Sequence, residues 1–224
     1  MQHTSKSYEQ ELKDLREKLL LMGGKVESMI AQSVQSLIQS DAQLAKQSIK
    51  ADLDVNRLEK EIDELCLNIL ALRQPTASDL RFIILCLKIV TDIERIGDLG
   101  VNIAERAVEL TQEMQLKPYV HLPVLANMAQ KMMKDALDAF VTRDVVLAET
   151  VFKNDDPVDE LTHKIFDELL SLMKESPENI SRAVRLTYVA KYLERIADHA
   201  TNIAEMVIFM VRGEDVRHKS LDQI

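Results

Sequence analysis

Residues 92–105 read DIERIGDLGVNIAE, and one hundred positions later residues 192–205 read YLERIADHATNIAE. An α-helix turns about 100 degrees per residue, so Glu94, Asp98, Asn102 and Glu105 fall at roughly 0, 40, 80 and 20 degrees and share one face. Glu194, Asp198, Asn202 and Glu205 repeat that face in the second copy. At about 1.5 Å of rise per residue, Glu94 and Asp98 lie about 6 Å apart along the axis, near enough to share an ion; Glu94 and Glu105 lie about 16 Å apart and are not.

Like charges at i and i+4 destabilise a helix by about 0.2–0.5 kcal/mol, so each stripe calls for something positive nearby. A hard cation such as Mg²⁺, Mn²⁺ or Fe is one answer, because such ions take carboxylate and carbonyl oxygens and the Asn side chain offers a neutral one. Arg95 and Arg195 are the other, as partners in salt bridges between the halves. Both readings stand at this level. His199 follows Asp198 directly, about 100 degrees round the helix, as an accessory ligand or a surface histidine. A redox di-iron bundle would need two E-x-x-H motifs. This chain has one, Glu160 to His163, whose counterparts are Arg57 and Lys60. The nucleophile-elbow, Walker, dinucleotide and H-E-x-x-H motifs are all missing, so acyl transfer and nucleotide hydrolysis lose their usual support and no catalytic residue is assigned. A hydrolase activating water on carboxylate-held metal remains an alternative, as does a purely structural bundle.

The elements that must carry these stripes are helices. Hydrophobic residues make up 46% of the chain but aromatics only 4%, with 5 glycines in 224 residues, a helix-forming mixture. Leu58, Ile62, Leu65, Ile69 and Leu72 recur at helical steps, and no segment alternates as a strand does. Breaks at Gln74-Pro75, Lys117-Pro118, Asp156-Pro157 and Ser176-Pro177 divide the chain into helices over about 6–39, 41–73, 77–114, 121–142, 144–174 and 178–212. Asp41, Ser78 and Asp144 suit N-caps, Pro177 suits a first turn, and Gly23-Gly24 suggests a kink or a local break.

The halves are also duplicated. Met29, Asp41, Ala45, Asp52, Val55, Leu58 and Ile62 match Met132, Asp144, Ala148, Asp155, Val158, Leu161 and Ile165 at an offset of 103, which becomes 100 at the acidic phrase. The expected architecture is all-α: two tandem three-helix bundles, residues 1–116 and 117–224, related by a pseudo-twofold.

With 37 acidic against 28 basic residues, the net charge of −9 opposes non-specific nucleic-acid binding and favours cations or basic partners. Cys66 and Cys86 stand in apolar segments, as reduced buried thiols do. The first residues lack the pattern of a signal peptide, and FIILCLKIV is too short to span a bilayer, so a cytoplasmic chain without membrane insertion is expected.

ERIGDLGVNIAE, ERIADHATNIAE and the preceding QPTASDLRFI resemble the PhoU family, over about Tyr8 to Arg212. The resemblance implies a cytoplasmic regulator, dimeric or larger, that negatively controls phosphate uptake and the phosphate-starvation response. Its implied partners are the ATPase subunit of the phosphate ABC transporter and a sensor histidine kinase. It also implies Fe, Zn, Mg or Mn at Glu94 and Asp98 and at Glu194 and Asp198, with Asn102, Glu105, Asn202 and Glu205 further along. Leu99 stands where the family often has histidine, which would weaken the first site.

Overall fold

In the computed structural model, which describes residues 2–213, every long element is a helix: α1 (Gln2–Gln39), α2 (Ala42–Arg73), α3 (Ala77–Leu110), α4 (His121–Thr142), α5 (Val145–Lys153), α6 (Asp155–Glu175) and α7 (Ile180–Arg212). Residue 1 of the first expected domain and residues 214–224 of the second lie outside the described residues. Helices α1, α2 and α3 form one bundle, and α4 to α7 form the other.

Asp41 and Asp144 cap as expected: the Asp41 carboxylate accepts from the Gln43 and Leu44 N–H groups, and Asp144 from that of Leu147. Other expectations change. Thr76, not Ser78, precedes α3, because α2 gives way at Gln74-Pro75 and Ser78 is already helical. The helix expected over 77–114 closes at Leu110, where the Gln112 and Glu113 N–H groups turn back to carbonyls three residues earlier. The helix expected over 144–174 is two, interrupted at Asn154. Pro157 has no N–H and its ring would clash with the Lys153 carbonyl, so the first helix stops there and a second begins. Pro177 opens a short 3₁₀ turn, Pro177–Asn179, ahead of α7.

Gly23-Gly24 makes no break, since α1 runs through it. A Cβ placed on Gly23 would come 2.4 Å from Leu137 Cδ1 of α4, so this glycine is a point of close approach between the halves.

Arg81, early in α3, donates to the Met210 carbonyl at the end of α7 (3.1 Å), and Arg182, early in α7, donates to the Met114 carbonyl just past α3 (2.9 Å). The two phrase-bearing helices therefore run antiparallel along a central seam. A single buried apolar cluster spans both bundles, with Phe82 of α3 stacked on Phe140 of α4 at a 5.1 Å centroid separation. Such stacking adds about 0.5–1.5 kcal/mol beyond area burial. Cys66 and Cys86 are buried free thiols, with burial pushing Cys66 up to about 12.

Candidate functional site

The acidic stripe of α3 faces a second one on α2 that reasoning from the repeated phrase missed: Asp52, Asn56, Glu59 and Asp63. Spaced by four, three and four, they share one helix face as Glu94 and Asp98 do. Burial raises the Glu94 pKa, and Asp98, Glu59 and Asp52 raise it further against the relief of Arg95. Asp52 is raised by burial and then by Asp98, with relief from Asn56. Glu59 is raised by burial and by Asp63 and Asp98, with Lys60 opposing, and Asp63 by burial.

Within this first cleft, Asn56 Nδ2 donates to Asp52 Oδ2 at 2.7 Å. That leaves Asp52 Oδ1 and Asn56 Oδ1 buried with no hydrogen-bond partner. An unsatisfied buried acceptor costs about 1–3 kcal/mol, a cost that a donor or a cation beside these two oxygens would relieve. Gly97 lies beside them: a Cβ there would meet Val55, Val26 and Asp52 Oδ1 at ordinary contact distances of 3.5, 3.6 and 3.8 Å.

The second cleft has the same plan, with α7 facing α6. Asp198 is raised by burial, Glu194 and Asp159; Asp155 by burial, Asp159 and Asp198; Asp159 by burial and Glu194. This cleft already holds donors. Lys191 Nζ reaches Glu194 Oε1 at 2.7 Å, Thr201 Oγ1 donates to Asp155 Oδ1 at 3.3 Å, and His163 and Lys191 lower the Asp159 pKa against the other effects. Asp52 and Asp155 are matched residues of the duplication, the one sequence signal that pointed to the α2 and α6 walls.

The other expected residues disperse. Glu105 lies 3.7 Å from Arg106, while Asn202 and Glu205 line a cavity of about 350 Å³ whose wall includes neither Glu194 nor Asp198. His199 turns its Nδ1 to Asp92 Oδ1 of α3 at 2.8 Å, across the seam. Arg95 and Arg195 are exposed and make no ion pair among the described residues, so the salt bridges proposed for them do not form.

Among the described residues, no three His, Cys, Asp or Glu side chains come together in a group that could by itself hold a metal ion. The donors are oxygens of Asp, Glu and Asn. This set suits a hard ion that keeps several waters and takes one or two carboxylates, not a tetrahedral zinc site of nitrogen and sulfur ligands.

A duplicated all-α fold with an acid-walled cleft in each copy defines the class. The family model of the PhoU domain matches residues 19–107 and again 122–207, and the chain belongs to that family. The phosphate-specific transport system accessory protein PhoU homologue of Pseudomonas aeruginosa is 44% identical over 223 residues, covering 99% of this chain and 92% of the relative. The phosphate-specific transport system accessory protein PhoU of Escherichia coli is 34% identical over 222 residues, with the same coverage of 99% and 92%. The crystal structure of PhoU from Pseudomonas aeruginosa superposes with a TM-score of 0.88, covering 92% of this chain and 100% of that one at 44% identity. That of the phosphate transport system regulatory protein PhoU from Streptococcus pneumoniae gives 0.86 at 30% identity, covering 93% and 99%.

Proposed function

We propose that this chain is a cytoplasmic, non-catalytic accessory regulator of phosphate-specific transport. It restrains phosphate uptake and the phosphate-starvation response by linking the ATPase subunit of a phosphate ABC transporter to a sensor histidine kinase, and it works as a homodimer. The observation that carries this reading is similarity along nearly the whole chain to proteins named as phosphate-transport accessories. Among the described residues no helix is long and apolar enough to cross a membrane, in keeping with a protein that meets its partners at a surface.

The two clefts supply the regulatory input. A hard divalent cation, Mg²⁺ or Mn²⁺ before Fe or Zn, is held in the first by Asp52, Asn56, Glu94 and Asp98 and in the second by Asp155, Asp159, Glu194 and Asp198. The orphaned oxygens of Asp52 and Asn56 support the cation reading. Deleting the gene and measuring phosphate-scavenging transcripts in ample phosphate tests the regulatory role. Derepression, reversed by the wild-type gene and not by Asp52→Asn with Asp98→Asn, is the expected result; transcripts that stay repressed in the deletion strain would overturn the role.

A further inference from the structure

The duplication makes the seam between α3 and α7 nearly symmetric, and the two sides of that seam are filled differently. On one side, Tyr188 and Tyr192 stack at 6.2 Å, and Arg185 pairs with Glu109 and Glu113 at 2.9 and 2.5 Å. Aromatic rings and an ion-pair network close that side. One hundred positions earlier, Lys88 and Asp92 stand where the tyrosines are and Leu85 stands where Arg185 is, while one hundred positions later Phe209 replaces the partner Glu109. The ring stack and the ion pairs are lost together, and a cavity of about 350 Å³ opens there. That volume falls within the range of small-molecule sites, about 300–1,000 Å³.

The charges of this cavity are unevenly satisfied. Of its two carboxylates, Asp92 is bonded to His199 and Glu205, on the α7 wall, is engaged in an interaction of its own. Lys88 and Arg95, two helical turns apart on α3, line the cavity and make no ion pair among the described residues. About 10 Å of helix rise separates their backbones, a gap two such long side chains close by converging on one group. Arg95 offers a planar fork of donors and Lys88 a mobile point charge, a pair suited to the several oxygens of a phosphoryl group. Asn202 adds an amide on the α7 wall, and Leu85, Met206 and Phe209 add apolar surface. Phosphate alone would leave that apolar surface uncovered.

We infer that the open side of the α3–α7 seam is a binding site for an organic phosphomonoester, its phosphoryl group between Lys88 and Arg95 and its apolar body against Leu85, Met206 and Phe209. This site is separate from the acidic clefts and does not depend on their holding metal. The closed side, with Arg195 in the place of Arg95, is its built-in control.

Isothermal titration of the chelator-treated full chain with phenyl phosphate, with inorganic phosphate as the comparison, tests the inference. One saturable site is expected, with inorganic phosphate at least tenfold weaker. Lys88→Ala and Arg95→Ala should each weaken phenyl phosphate tenfold or more, and Lys88→Tyr, which restores the residue of the closed side, should abolish binding. Arg195→Ala should leave it unchanged. All three positions are exposed, and circular dichroism and melting check that each of the four variants is folded. Absence of saturable binding, an equal loss in Arg195→Ala, or inorganic phosphate binding as tightly as phenyl phosphate would overturn it.

Discussion

The two clefts descend from one design and differ in what already satisfies their acids. In the second, Lys191 holds Glu194, Thr201 donates to Asp155, and His163 lies near Asp159. In the first, the residue matching Lys191 is Thr91, whose hydroxyl donates to the Leu87 carbonyl of its own helix, and two buried oxygens have no partner. The first copy is thus the one with the most to gain from a cation. The resemblance, through Leu99, points the opposite way. In the structure His199 commits its Nδ1 to Asp92, and Leu99 is buried apolar surface, so Lys191 rather than His199 is the group that most directly distinguishes the two acid stripes.

Whether the halves behave as separate units is the coarsest way to break this comparison. Phe140 is fully buried and stacks across the bundles on Phe82. Phe140→Ala should cost about 3–5 kcal/mol and lower the stability of both halves in one transition, because they share one core. Two separated transitions in denaturant, with only one displaced, would show that they fold independently.

A smaller effect is expected on freeing the second cleft. Lys191→Ala removes the 2.7 Å partner of Glu194 and should raise Mn²⁺ affinity there by about threefold, since a half-exposed pair contributes roughly 0.2–1 kcal/mol. Weaker binding in this variant would mean that Lys191 supports the cleft.

The acids also mark themselves through pH. Burial, then Asp159 and Asp198, raise the Asp155 pKa, so the native state binds this proton more readily than the unfolded chain does. Ionised Asp155 therefore costs stability at neutral pH, and the cost fades as pH falls through its raised pKa toward the ordinary Asp range. In chelator, Asp155→Asn should be more stable than the wild type at pH 7 by at most about 1 kcal/mol after solvent screening, with the gain vanishing in acid. A gain that persists or grows in acid would show that repulsion is not its source.

The mildest change makes one copy read more like the other. Gly97→Ala converts ERIGD to the ERIAD of the second phrase, and its methyl would meet Val55 and Val26 at ordinary contact distances of 3.5 and 3.6 Å. A gain of up to about 1 kcal/mol from helix propensity is expected in thermal melts. A loss would show that α2 tolerates no added group beside Asp52.

Much of this was legible in the sequence. The long helices, the Asp41 and Asp144 caps, the duplication and the shared face of Glu94 and Asp98 all follow from local periodicity, which a sequence states directly. The facing walls do not, because cleft formation depends on which helix lies alongside. Asn56, Glu59 and Asp63 correspond to Asp159, Thr162 and Phe166, so the α2 pattern is not rewritten on α6 and no repeated phrase announces it. Asn202 and Glu205 share a helical wheel with Glu194 and Asp198, yet a wheel assigns no neighbour, and the antiparallel crossing of α3 gives them to the seam. Pro157 announced a break that the apolar pattern reads through, and the Lys153 carbonyl decided between them.

The claim that the first cleft is a cation site can be tested by titrating Mn²⁺ into chelator-stripped protein and comparing wild type, Asp52→Asn with Asp98→Asn, and Asp155→Asn with Asp198→Asn. The tightest binding is expected to be lost, by at least tenfold, in the first pair and retained in the second. Mn²⁺ uptake that is equal in all three proteins would contradict it.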